Sequence, residues 1–508
     1  MSRKTELALL AAIVLVAAVF RLGSLGLMEF KGDEAQALLL ALPIQDGGAW
    51  PEVGLMSSVG LNNPPLFVYL CAIPMAFTTD PVAVTGSLVG LLGVLAVLLT
   101  YVVIRPRFGA FAALGAAALF ACSPWAVLYA RKVWAQDVLP IFSVVLLHAL
   151  FAIVERTKTW LAAAVPVLLC ALWQIHFSAF ALMAVAGVVL LWRAREVRWT
   201  AVLAGTAVAV AMLIPYGHYQ TTHAWEDVVR LKHIAAGRRP DGTVRTEKGK
   251  LNLDPVRDTA LVSGGTVLDY ALGPSTDTWR EEQSGFGRGA RSAGGWLAML
   301  AIGAGLGVVV WRTLRGARLV RRFPWLELSP TGGPWLVLSL WMLGVLGFFI
   351  AARLEHTFPH YYIIAYPVPF VLGALALSEL RRWRVGAWVA VGLLVAVTAA
   401  HASSLLTFRG FLVRHGGAVG DYGVVYQHKA DLARWASRNG LELKSGPWEL
   451  RYLIDQERAY GDVGGDVDPA PAGTKHVDVH DALRWPPARD LRCDGRKHFG
   501  PLVACPRP

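Results

Sequence analysis

Long apolar runs recur along this chain, at roughly residues 7–27, 64–78, 82–104, 108–130, 137–154, 160–175, 177–192, 199–216, 296–311, 334–351, 360–378 and 385–406. Each is near the length a helix needs to cross a bilayer. Helices packed on a water-soluble core need a polar face, which runs this apolar do not offer. Composition agrees: the 508 residues are 55% hydrophobic and 17% charged, against about 25% charged in soluble domains. The sequence predicts an all-α polytopic membrane protein. Leu7–Phe20 is followed by RLGSLGLMEF, not by a small-x-small cleavage site, so it reads as an uncleaved first span.

A formal charge of +12 does not point to nucleic acid. The basic residues fall in short clusters between apolar runs: RPR at 105–107, RTK at 156–158, RAREVR at 193–198, RTLRGARLVRR at 312–322 and RRWR at 381–384. That is the distribution the positive-inside rule gives cytoplasmic loops. If every run crossed, several clusters would lie outside. Leaving 64–78 as a juxtamembrane or re-entrant helix, in keeping with its NNPP start and Pro74, places them all inside. The result is about 11 crossings in a bacterial-type inner membrane, N-terminus in and C-terminus out.

Two units follow. Residues 1–406 form the transmembrane unit, with a first outer loop bearing juxtamembrane helices (28–81) and a long outer loop (217–294). Residues 407–508 form a small extracytoplasmic domain, α/β or irregular, near the lower size limit for an independent core. The segment EEQSGFGRGARSAGG has the glycine spacing of a nucleotide fingerprint, but without a preceding strand or a following amphipathic helix it reads as flexible loop. In the tail, DLARWASRNG is helical in pattern, and WELRYLIDQERAYGDV fits a strand or a helix. Cys71, Cys122 and Cys170 lie in apolar runs as packing residues, whereas Cys493 and Cys505, on an oxidising side, would close a short terminal loop. No internal repeat is visible.

The outer side receives FKGDEAQ (30–36) and two short segments carrying cations against the charge bias: Arg131 and Lys132 in YARKVWAQD, and Arg353 in AARLEHTFPH. An anionic ligand would account for them. GDEAQ after the first span is followed by PPLFVYL (64–70), the turn Arg107-Phe108-Gly109, Ser123-Pro124 with Tyr129, Arg131 and Asp137, then QIHFSAF (174–180) and HYYIIAYPVPF (360–370). In this order the segments resemble the polyprenyl-phosphate-dependent GT-C glycosyltransferases, a group that includes the protein O-mannosyltransferases and the lipid A aminoarabinose transferases. The resemblance covers roughly 1–220 and 334–406. It implies a GT-C fold, a polyprenyl-phosphate sugar donor, and a catalytic carboxylate directly after the first helix.

The chemistry fits that expectation. A polyprenyl phosphate is already an acidic leaving group and needs positive charge or a metal to hold it, while an acceptor hydroxyl profits from a carboxylate base. Asp33 is the candidate base; with Gln36 it also resembles a capping box opening the helix EAQALLLAL. Glu34 is the second catalytic candidate, to orient Asp33, raise its pKa or bind a divalent cation. Arg131, Lys132 and Arg353 are candidates to hold the donor phosphate, against the alternative of snorkelling helix-end cations. Asp137 is expected to pair with Arg131 or Lys132. Asn62, Asn63, Tyr129, His176, His356, His360 and Tyr361 are candidates for the substrate wall, with turn caps, boundary histidines and an aromatic belt as the bland readings. No His-x-x-x-His or Cys-x-x-Cys spacing offers a zinc site.

The expected function is inverting sugar transfer to a hydroxyl on a glycan, lipid or protein acceptor at the outer face. The alternative is a transporter or lipid-linked saccharide flippase, whose charges would sit at mid-membrane on broken, repeated helices. A third reading is a membrane anchor for a binding tail.

Overall fold

A computed structural model describes residues 1–57, 60–238, 241, 243, 253–319, 326–329, 332–353, 357–460, 468–486, 488, 491 and 493–507. The apolar runs are helices. Among the described residues six are long and apolar enough to cross a membrane: Arg3–Leu22, Pro81–Cys122, Ala135–Val154, Gly285–Gly316, Gly332–Ala352 and Arg384–His415. Two bent pairs, Trp199–Met212 with Ile214–Thr222 and Pro359–Ala365 with Val368–Leu380, turn by 49° and 61° and raise the number to 8 if each is one span. This is a multi-pass membrane protein. The 42-residue stretch Pro81–Cys122 would be about twice the hydrocarbon thickness if straight; Gly109, at φ 83°, breaks it into two helices. Leu66–Met75, by contrast, rises only about 15 Å, half that thickness, and packs on the Gly32–Gln45 helix of the first outer loop.

The reading of EEQSGFGRGARSAGG as flexible loop is corrected. Ser284 caps a helix that begins at Gly285 and runs without interruption to Gly316. Its glycines serve close packing: a Cβ on Gly294 would meet the Ala400 methyl at 2.2 Å, and one on Gly305 the Leu372 carbonyl at 2.0 Å. Glycine-rich spacing here marks helix contact in an apolar bundle, as small residues do in membranes.

The Arg384–His415 helix passes through position 407 without a break and carries the chain into the tail. A short hairpin, Gly417–Ala418 with Gly423–Val424, leads to helices Tyr426–Arg438 and Glu449–Tyr460. These accompany a four-stranded sheet in the order Glu442–Ser445, His476–Asp481, Leu502–Arg507, Lys497–Phe499, parallel only at its first pair. Cys493 and Cys505 are disulfide-bonded with Cα atoms 5.8 Å apart. The tail does not keep its core to itself. Phe30 of the first outer loop packs against Tyr426 and Tyr452 at ring distances of 5.5 and 6.2 Å.

Candidate active site

Residues 27–34 are held from both ends. On the tail side, Tyr422 donates its hydroxyl to the Leu27 carbonyl, Tyr426 donates its backbone N–H to the Met28 carbonyl at 2.9 Å, and Glu29 bridges to Val425. Buried Lys429 donates to the Phe30 carbonyl at 2.6 Å and pairs with Glu449 at 2.7 Å. The helix that follows starts at Gly32, and Glu34 accepts the Lys31 N–H at 2.8 Å. The expected Asp33–Gln36 capping box is therefore corrected. The N-cap is Lys31, the reciprocal carboxylate is Glu34, and Asp33 is left exposed on the first turn. Among the described residues Asp33 has no hydrogen-bonding or ionic partner.

Asp33 faces a cavity of about 510 Å³. Two lysines share it. Lys132, 3% exposed, lies 3.1 Å from Glu29 and 3.9 Å from Glu34, with its ammonium 4.0 Å from the Trp134 ring. Lys31 pairs with Glu29 at 2.6 Å and with Asp421 of the tail hairpin at 3.1 Å. Burial works against the charge on each lysine, but the surrounding carboxylates, Glu29 foremost, outweigh it and hold both above the ordinary lysine pKa. Both ammonium groups are thus fixed as cations beside an unengaged carboxylate.

The opposite wall is aromatic. His360 sits edge-on to Trp134 at 4.3 Å and stacks on Phe358 at 5.5 Å. His176 turns its Nδ1 to Ser178 at 2.8 Å and packs against Tyr361 at 5.2 Å. Gln136 and Asn63 also line the cavity, and the side-chain oxygen of each is buried without a partner among the described residues, as is His360 Nδ1. Tyr270, docked beside Asp421 through the Asp421 N–H to Tyr270 carbonyl bond, completes the lining.

Of the residues singled out in the sequence, the fold brings Asp33, Glu34, Lys132, Asn63, His176 and His360 to this cavity. Arg131 is turned away: its guanidinium donates to the carbonyls of Phe20 and Gly23 at 2.7 Å and of Ser24 at 2.8 Å, closing the C-terminus of the first helix. Fully buried Arg21 reciprocates on the helix ending at Cys122, donating to Phe120 and Ala121 at 2.9 Å. Helix capping thus accounts for Arg131 without an anionic ligand. The pairing expected for Asp137 is corrected too: both its carboxylate oxygens are buried without a hydrogen-bond partner among the described residues, because Arg131 is spent on backbone and Lys132 on Glu29. Asn62 fastens the first outer loop to the Glu226–Ala235 helix through Asp227 at 3.1 Å. Tyr129 and Tyr361 lie behind the lining, Arg353 is exposed outside it, and His356 lies outside the described residues. Among the described residues no group of three or more His, Cys, Asp or Glu side chains could hold a metal ion.

Glu29, Lys31, Trp134, Gln136, Tyr270 and Asp421 were not singled out in the sequence. Lys31 and Gln136 stand within the motifs quoted above, and Glu29 just before one. Asp421 carried no signal, since it arrives from 390 residues away in the chain.

No protein-family profile matches the chain, and no curated protein matches it by sequence. Solved structures do. ArnT from Cupriavidus metallidurans, bound to undecaprenyl phosphate, superposes with a TM-score of 0.61 at 14% identity, covering 99% of this chain and 98% of that one. The Archaeoglobus fulgidus oligosaccharyltransferase tethered to an acceptor peptide gives a TM-score of 0.51 at 14% identity, covering 93% of this chain and 61% of the archaeal one.

Proposed function

The chain has the fold of the GT-C glycosyltransferases, and from that premise we propose that it transfers a sugar from a polyprenyl-phosphate donor to an acceptor hydroxyl, with inversion, in the Asp33 cavity. The observation carrying this reading is the juxtaposition of one unengaged carboxylate with two carboxylate-paired ammonium groups, Lys132 buried and Lys31 half-buried, in a single cavity. Asp33 takes the proton of the acceptor hydroxyl as its oxygen attacks the anomeric carbon. The bond from that carbon to the phosphate oxygen breaks, and Lys132 and Lys31 receive the departing phosphate. Lys31 thus replaces Arg131 and Arg353 in the clamp. Glu29, Glu34 and Asp421 position the lysines. Gln136, Asn63 and His360 offer their unpartnered atoms to sugar hydroxyls. The acceptor is a hydroxyl on a glycan, lipid or protein.

The orientation belongs to the same proposal. About 11 crossings with the cavity and tail on the outer face follow from the basic clusters, and the Cys493–Cys505 bond suits an oxidising side. The test is reconstitution of the purified protein with polyprenyl-phosphate sugars and acceptor extracts. One polyprenyl phosphate should be released per sugar transferred, and the product should have the opposite anomeric configuration. Retained configuration would rule out the single displacement.

A further inference from the structure

A second cavity, of about 570 Å³, lies between Thr266–Val267, the Ser275–Glu281 helix and the first two turns of the Gly285–Gly316 helix. It shares no lining residue with the Asp33 cavity. Three arginines, Arg280, Arg288 and Arg291, line it, and among the described residues no carboxylate does. Arg291, 9% exposed, is fixed by Gln283 at 2.6 Å and Ser403 at 3.1 Å, both neutral groups. Arg280 has only a loose 3.6 Å pairing with exposed Asp277. Arg288 donates to the Arg280 carbonyl at 3.4 Å and has no carboxylate partner among the described residues. The nearest acid along the chain at the helix start, Glu282, is engaged by Arg414 at 2.5 Å and by His415.

Two further features point to an anion. The N–H groups of the first turn at Gly285 carry the positive end of a 32-residue helix. Trp279, 3% exposed, lines the same cavity, and its indole N–H has no partner among the described residues. Three cations, a helix N-terminus and an orphan donor together form a set that a tetrahedral oxyanion satisfies. The surroundings say where that anion comes from. Phe286 and Trp296, 89% and 63% exposed, flank the arginines on a membrane helix, as aromatic residues do at the headgroup level.

We propose that this cavity binds the phosphate of an anionic phospholipid headgroup. The proposal is independent of the sugar-transfer reaction. It is tested by native mass spectrometry of the full-length protein in detergent, with phosphatidylglycerol, phosphatidylcholine or inorganic phosphate added. The wild type should retain phosphatidylglycerol about tenfold better than phosphatidylcholine, and the exposed-site double variant Arg280→Ser/Arg288→Ser should lose that preference while keeping its thermal midpoint. Trp279→Phe, which keeps a ring but removes the donor, should weaken it severalfold. Competition by inorganic phosphate would show that the phosphate group alone is recognised; lipid preference without such competition would assign the site to the intact lipid. Equal retention of the two lipids, or a preference that survives the double variant, overturns the proposal.

Discussion

On the side of the Asp33 cavity built by residues 27–34, every charged group but Asp33 is engaged: Glu29 and Glu34 with lysines or backbone, Lys31 with Asp421, and the backbone carbonyls themselves with the tail. On the side built by Trp134, Gln136, His176 and His360, rings pack on rings and polar atoms of Gln136 and His360 are left without protein partners. The charged side is preorganised by its own pairs, at the cost of burying ions; the aromatic side is stiff in shape but chemically unsatisfied. On the proposed function, a donor phosphate would meet charges already in place, while a sugar would meet groups that gain hydrogen bonds only on binding.

Removing the tail's hold on the charged side should have the largest consequence. Lys429→Met leaves Glu449 buried without its cation and the Phe30 carbonyl without its donor, which should cost about 3–5 kcal/mol and abolish transfer along with folding; thermal unfolding in detergent reads the loss. Lys132→Met leaves Glu29 with Lys31 and Glu34 with the Lys31 N–H, so it should cost less stability than Lys429→Met but abolish donor binding, and donor affinity separates the two variants. Arg131→Ala should lower stability by roughly 1–3 kcal/mol through the lost helix cap and leave donor affinity unchanged; weaker donor binding at equal stability would return Arg131 to the phosphate clamp. On the aromatic side, His360→Ala should reduce kcat/KM about tenfold with a smaller effect on folding, sharpening the contrast between shape and charge. Smallest of all is the pH effect. Because the folded Lys132 pKa is raised, its stabilisation is complete below the unfolded value of about 10.4 and fades only as pH climbs through the higher folded value, so the midpoint difference between wild type and Lys132→Met should be constant through neutral pH and shrink above about pH 10.

Much of the scaffold was legible in the sequence because membrane helices announce themselves by length and apolarity, and the short 64–78 run betrayed itself through Pro74 and the charge pattern. The Gly285–Gly316 helix was misread because glycine signals flexibility in water and close packing in an apolar bundle. At the site, FKGDEAQ exposed Asp33 and Glu34, since local spacing places both on the first helical turn. Arg131 and Lys132 were indistinguishable as neighbouring cations; only the fold sends one to helix carbonyls and the other to Glu29. Asp421 and Lys429 were invisible, because their partners lie about 400 residues earlier in the sequence and no local pattern encodes such a contact.

The central claim is that Asp33 takes the proton of the acceptor hydroxyl while the two lysines hold the donor phosphate. Single-turnover release of polyprenyl phosphate from a polyprenyl-phosphate sugar in the presence of the acceptor extract, measured alongside donor binding for wild type and Asp33→Asn, tests it most directly. The variant should bind donor with wild-type affinity and turn it over about 10²–10⁴-fold more slowly. Release at the wild-type rate would contradict the account.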